Sequence, residues 1–178
     1  MSTPTAYSTL QRLLHWTMAG LILAMLVIGL LLANDLYLRP TLLAIHRPLG
    51  LALALLALLR LAVRWRLGAP PLPAELPRGQ AFLARASHGL LYALMIGLPL
   101  LGWAQLSAGG MPVTLWPGTV LPPLLGQSVS AHALLHALHQ GAAWLLAALV
   151  LGHAGAALHH AWVRRDGVWQ QMAGGKPD

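Results

Sequence analysis

Residues 13–33, from Leu13 to Ala33, run without a single Asp, Glu, Lys or Arg. A helix of that length, rising about 1.5 Å per residue, crosses the roughly 30 Å hydrocarbon core of a bilayer. The run exceeds the about 7–15 apolar residues of a secretory signal, so a retained membrane span is expected rather than a cleaved leader. Three further runs follow. Leu42–Val63 carries His46 and Arg47 near its start and Arg60 near its end, where a long basic side chain can snorkel toward the surface. Ala86–Leu106 contains Pro99, tolerated as a kink where neighbouring helices satisfy the freed carbonyl. Ala133–Leu158 continues toward Trp162. The expectation is an all-α integral membrane four-helix bundle, a single domain over residues 1–178.

Composition agrees, since 57% of residues are hydrophobic and only 8% charged, against about a quarter charged in soluble domains. Arg64-Trp65-Arg66 followed by Gly68-Ala69-Pro70-Pro71-Leu72-Pro73 reads as a proline-stiffened linker. Ser107–Ser130 reads as a loop lying against the bundle or the interface, with a turn at Trp116-Pro117-Gly118.

A net charge of +7 might suggest nucleic acid, but the basic residues sort by topology instead. Arg12, Arg60, Arg64, Arg66, Arg78, Arg85, Arg164, Arg165 and Lys176 fall on one side of a four-span chain, and only Arg39 and Arg47 on the other. Basic residues stay cytoplasmic, so both termini are expected inside, with no nucleic-acid partner required.

With no cysteine present, disulfides, iron–sulfur clusters, thiolate zinc sites and thioether-attached haem are excluded. Nine histidines remain as nitrogen ligands. Ionisable residues within spans are costly and mark function, which singles out His15, His46, His88, His139 and His153. His139 and His153, fourteen residues apart, share a helix face at levels about 21 Å apart. Alternating span direction puts His15 level with His153 and His46 level with His139. Two imidazoles from two helices at each of two depths suit six-coordinate haem iron in a bundle core. They offer neither a tetrahedral set nor a carboxylate for zinc or di-iron chemistry. Gly50, Gly141, Gly152 and Gly155 are candidates for close approach of a flat macrocycle. His132 and His136 read as residues of the outer interface, while His159 and His160 lie at the inner one near His88.

The chain resembles the bacterial cytochrome b561 family over almost its whole length, including the superoxide oxidase type. The likeness rests on Arg12-Leu13-Leu14-His15-Trp16, on His46-Arg47-Pro48-Leu49-Gly50 with Leu59-Arg60-Leu61 and Trp65-Arg66, and on His88 with Leu91-Tyr92 and Leu98-Pro99-Leu100-Leu101-Gly102-Trp103. The last helix adds His139, Trp144, Gly152-His153, His160 and Arg165-Asp166-Gly167-Val168. Gln140 stands where the family often has Glu, and Ala161 where a second histidine is common. The resemblance implies two haem b groups, held by His15 with His153 and by His46 with His139. It further implies electron transfer across the bacterial inner membrane from superoxide or another small one-electron donor outside to ubiquinone inside.

Arg47 is a candidate for an outer haem propionate or for attracting an anion. His88, His160 and Arg85 are candidates for an inner propionate or quinone site. Two other roles are open to such a chain, a cytochrome b anchor subunit of a dehydrogenase or hydrogenase and a histidine-relay metal or proton transporter. Short tails weigh against the first, and the lack of an intramembrane acid or inverted repeat against the second. Ala147, Ala148, Ala154 and Ala157 leave a homo-oligomer open.

Overall fold

The computed structural model describes residues 6–73 and 76–174. Four helices long and apolar enough to cross a membrane account for most of it: α1 (Thr9–Asn34), α2 (Arg39–Leu67), α3 (Arg78–Ala108) and α4 (Val129–His159). A hairpin of β1 (Val113–Trp116) and β2 (Thr119–Leu121) joins α3 to α4. A π-helical turn over His160–Arg164 extends α4, and a short α5 (Val168–Ala173) follows. Lys176 lies outside the described residues.

Every helix outruns its apolar stretch, because backbone hydrogen bonding continues through the interface for as long as capping supports it. Ser8 Oγ accepts from the Gln11 backbone N–H at 3.3 Å, while the Gln11 side chain accepts from the Ser8 N–H at 3.0 Å. This capping box starts α1 four residues before Leu13. Gln11 Nε2 also donates to the Gly68 carbonyl at 2.8 Å, tying the start of α1 to the end of α2. Arg64-Trp65-Arg66, expected in the linker, is the last turn of α2. Cations there complement the helix C-terminus, and α2 stops only at Gly68, whose φ of 73° suits glycine.

The segment expected as a plain loop between the third and fourth spans contains the antiparallel hairpin, with Val113 opposite Leu121, Thr114 opposite Val120 and Trp116 opposite Thr119. Gly118, at φ 85°, supplies its turn. Val113 and Leu115 are buried, and β1 packs against α2. Trp103 Nε1 donates to the Pro122 carbonyl at 2.9 Å, and the Leu124 N–H donates to Ser107 Oγ at 3.0 Å. The hairpin therefore closes one end of the bundle, here called the hairpin end. The other end carries the start of α1 and α5, docked through Trp16 Nε1 to the Met172 carbonyl at 3.2 Å and Trp16 against Trp169.

The helices pack in chain order, α1 on α2, α2 on α3 and α3 on α4, whereas neither α1 nor α2 packs closely along α4. Midway along the bundle, Met18, Ile22, Leu53, Ala57, Leu91, Met95, Leu98 and Leu146 form a single apolar layer. Leu146 is the buried residue of α4 and stands seven residues from both His139 and His153. Leu23, Val27, Leu55 and Leu151 are exposed, as lipid-facing residues are, because lipid tails are as apolar as leucine.

Candidate functional site

Above and below that apolar layer, histidines from different helices come together. At the end with the termini, His15 of α1 and His153 of α4 have ring centroids 6.2 Å apart and planes inclined by 70°. At the hairpin end, His46 of α2 and His139 of α4 are also 6.2 Å apart, inclined by 62°. Both pairs span the space between α4 and the α1–α2 side of the bundle. Metal–imidazole bonds of about 2.0–2.1 Å, with roughly 1.1 Å from nitrogen to ring centre, put two imidazoles on opposite sides of one metal at roughly 6.2–6.4 Å. Both pairs meet that separation. No group of three or more His or acidic side chains suited to a metal ion occurs among the described residues. The residues present thus fit bis-histidine haem.

His88 of α3 adds a third imidazole at the termini end, 5.3 Å from His153 in an edge-to-face contact. That is too short for opposite sides of one metal, so His88 packs against the ring that His15 faces. His88 is thereby drawn to His153 rather than to His160.

The neighbours of the two pairs differ. Arg60, expected to snorkel outward, instead turns inward: its Nη2 donates to His15 Nδ1 at 2.8 Å, and its Cζ lies 5.6 Å over the Tyr92 ring. Sequence reading missed this contact, although both residues stand in the motifs quoted above. At the hairpin end, Nδ1 of His46, Nδ1 of His139 and Nε of Arg47 are buried without a hydrogen-bond partner. A Cβ added at Gly102 of α3 would lie 3.3 Å from His139 Cε1, so the missing side chain there lets the imidazole rest on α3. Of the four glycines singled out from sequence, Gly141, Gly152 and Gly155 would place a Cβ in open space, and Gly50 would meet Met25 at 3.6 Å.

Beyond the pairs, His160 Nδ1 lies 2.7 Å from Asp166 Oδ2, which Arg164 Nε approaches at 3.4 Å. Arg164 in turn donates to Gln80 of α3 at 3.1 Å. Arg165, left-handed at φ 51°, ends the π-helical turn and brings Asp166 back toward His160. Asp166 was legible only as part of a motif, because a contact across six residues needs that reversal. Arg85 is exposed on α3. His132 and His136 stack with centroids 6.5 Å apart and share Gln105: His132 Nδ1 lies 2.9 Å from its carbonyl, and its side chain lies 3.1 Å from His136 Nδ1. His159 stands edge-to-face against His160.

Comparison with known proteins covers nearly the whole chain. A family model described as prokaryotic cytochrome b561 matches residues 6–175. Cytochrome b561 homolog 2 of Escherichia coli is 28% identical over 97% of this chain and 94% of its own length. Cytochrome b562 of Cereibacter sphaeroides is 32% identical over 97% and 98%. Cytochrome b561 homolog 1 of Escherichia coli is 28% identical over 71% and 72%.

Proposed function

The chain belongs to the prokaryotic cytochrome b561 family, which makes it a multi-pass electron-transfer protein of the bacterial inner membrane with haem b as the implied cofactor, and we propose that it holds two such haems and carries electrons from a small periplasmic donor to ubiquinone. The observation that carries this reading is the pair of equal 6.2 Å imidazole separations at two levels of one bundle.

His15 and His153 hold one group, and His46 and His139 the other. Haem b supplies at each site a one-electron ferric–ferrous couple. The apolar layer around Leu146 keeps water and protons out of the space between the levels, so electrons cross without a proton path. The excess of arginine at the termini end supports a cytoplasmic position for that end and a periplasmic one for the hairpin end. Arg47, beside His46, supplies a positive charge for a haem propionate and for attracting an anionic donor.

By resemblance, that donor is superoxide. Two superoxide anions each give up one electron to become dioxygen, and one ubiquinone takes both electrons with two cytoplasmic protons to become ubiquinol. At the termini end, His160 is the group suited to guide a proton, since Asp166 fixes its ring through Nδ1 and leaves Nε2 for a quinone oxygen. His88 and Arg85 complete this end as partners for a propionate or quinone.

The test is a reduced-minus-oxidised visible spectrum of the detergent-purified protein, with haem counted per chain, for wild type, His139→Ala and His153→Ala. Two b haems in wild type and one lost or altered in each variant are expected. A haem content indifferent to both substitutions would sink the pairing. Stopped-flow mixing with superoxide and a quinone analogue then tests the donor, and failure to reduce the haems removes superoxide from the proposal.

A further inference from the structure

We infer that Arg60 is a positioning residue that raises the electron affinity of the His15–His153 site. The inference rests on the reading that these two imidazoles hold a haem, and it concerns what surrounds that haem on the α2 side. Arg60 lies within the second membrane-spanning helix. It contacts His15 Nδ1 at 2.8 Å and the face of Tyr92. The acidic residues among the described ones are Asp35 and Asp166, and the ion pairs found there are those of Asp166 with His160 and Arg164. No described carboxylate neutralises Arg60. Arg64, one turn further along α2, donates to Tyr7 Oη at 3.3 Å and adds a second positive charge on the same side.

The effect of this arrangement is electrostatic. A guanidinium always carries its charge, and in a low-dielectric bundle that charge acts at close range with little screening. Adding one electron to the site lowers its positive charge, so the reduced form is favoured. Arg60 only donates, so in the metal-free ring it takes the Nδ1 lone pair; with Nε2 on iron the neutral ring would carry its hydrogen on Nδ1, and the guanidinium would act on the site through its charge. The usual partner of a ligating imidazole, a carbonyl or carboxylate accepting from Nδ1–H, makes the ligand more basic, and at His15 the guanidinium stands in that place. Arg60 contacts neither ring of the His46–His139 pair at the other level, so its influence falls on the termini end.

The experiment is a potentiometric titration of the full-length protein in detergent, following haem absorbance, with haem counted. The low-spin ferric resonances of the two sites are told apart by their loss in His153→Ala or His139→Ala. Arg60→Gln keeps a donor without the charge, and Arg60→Lys keeps the charge. In Arg60→Gln we expect both haems to be retained, and the reduced-to-oxidised ratio of the termini-end haem at fixed potential to fall about tenfold. That corresponds to a midpoint about 59 mV lower for one electron. The hairpin-end haem stays where it was, and Arg60→Lys restores most of the shift.

No shift, or an equal shift at both sites, would overturn the inference. So would a rise in the midpoint, as expected if the guanidinium held His15 in an imidazolate form, and so would loss of the haem in Arg60→Gln but not in Arg60→Lys, which would mark a need for charge in assembly. A wild-type protein without haem would instead defeat the reading beneath it.

Discussion

His88 stands closer to His153, at 5.3 Å between ring centroids, than does His15 at 6.2 Å. Proximity alone would pair His88 with His153, but two ligands on opposite faces of one metal need the longer separation. His88→Ala is therefore expected to keep both haems and alter only the packing on the His153 ring, with a small shift in the α-band. His15→Ala loses the termini-end haem. Haem counting of both variants checks this, and loss of haem in His88→Ala alone would reverse the assignment.

Gly102 gives the hairpin-end site its selective vulnerability. A Cβ there would lie 3.3 Å from His139 Cε1, so Gly102→Ala requires the ring to move by a few tenths of an ångström. Gly102→Val overpacks the contact at a cost of about 1–3 kcal/mol. We expect Ala to broaden or shift the resonance of the His46–His139 haem and Val to lose that haem, while the His15–His153 haem persists. Electron paramagnetic resonance of the two variants reads this directly.

Asp166 fixes the His160 ring through a 2.7 Å contact. Removing the charge in Asp166→Asn gives up a charge-assisted hydrogen bond worth about 1.5–3 kcal/mol. Quinone reduction by the pre-reduced protein is expected to slow about tenfold, with haem content and spectra unchanged. An unaltered rate in stopped-flow would remove His160 and Asp166 from the quinone site.

Leu146 belongs to the apolar layer between the two histidine levels and is 7% exposed. Leu146→Ala leaves a cavity, and we expect a loss of about 2 kcal/mol, near the low end for such a change because lipid already solvates leucine. Thermal unfolding in detergent measures it. Both haems should remain in the folded variant, since no ligand rests on that side chain alone.

The sequence by itself determined the four spans, because apolar runs of this length with so few charges are most stable in a bilayer. It also determined which histidines share a level, because helical rise and alternating direction fix depth without any knowledge of packing. Within the site, His15, His46, His139 and His153 were legible on those grounds, and the structure brings them together in the expected twos. The helix ends were not legible, since capping and the interface, rather than apolar content, decide where α2 and α3 stop. Nor was the hairpin, whose short strands are held by Trp103, Ser107 and the flank of α2. Only the tertiary structure decided that Arg60 turns to His15, that His88 packs on His153 and that Asp166 returns to His160. Each depends on the rotation of one helix about its axis or on a chain reversal, and a rotation of a few tens of degrees moves a side chain from lipid to the interior without changing its depth.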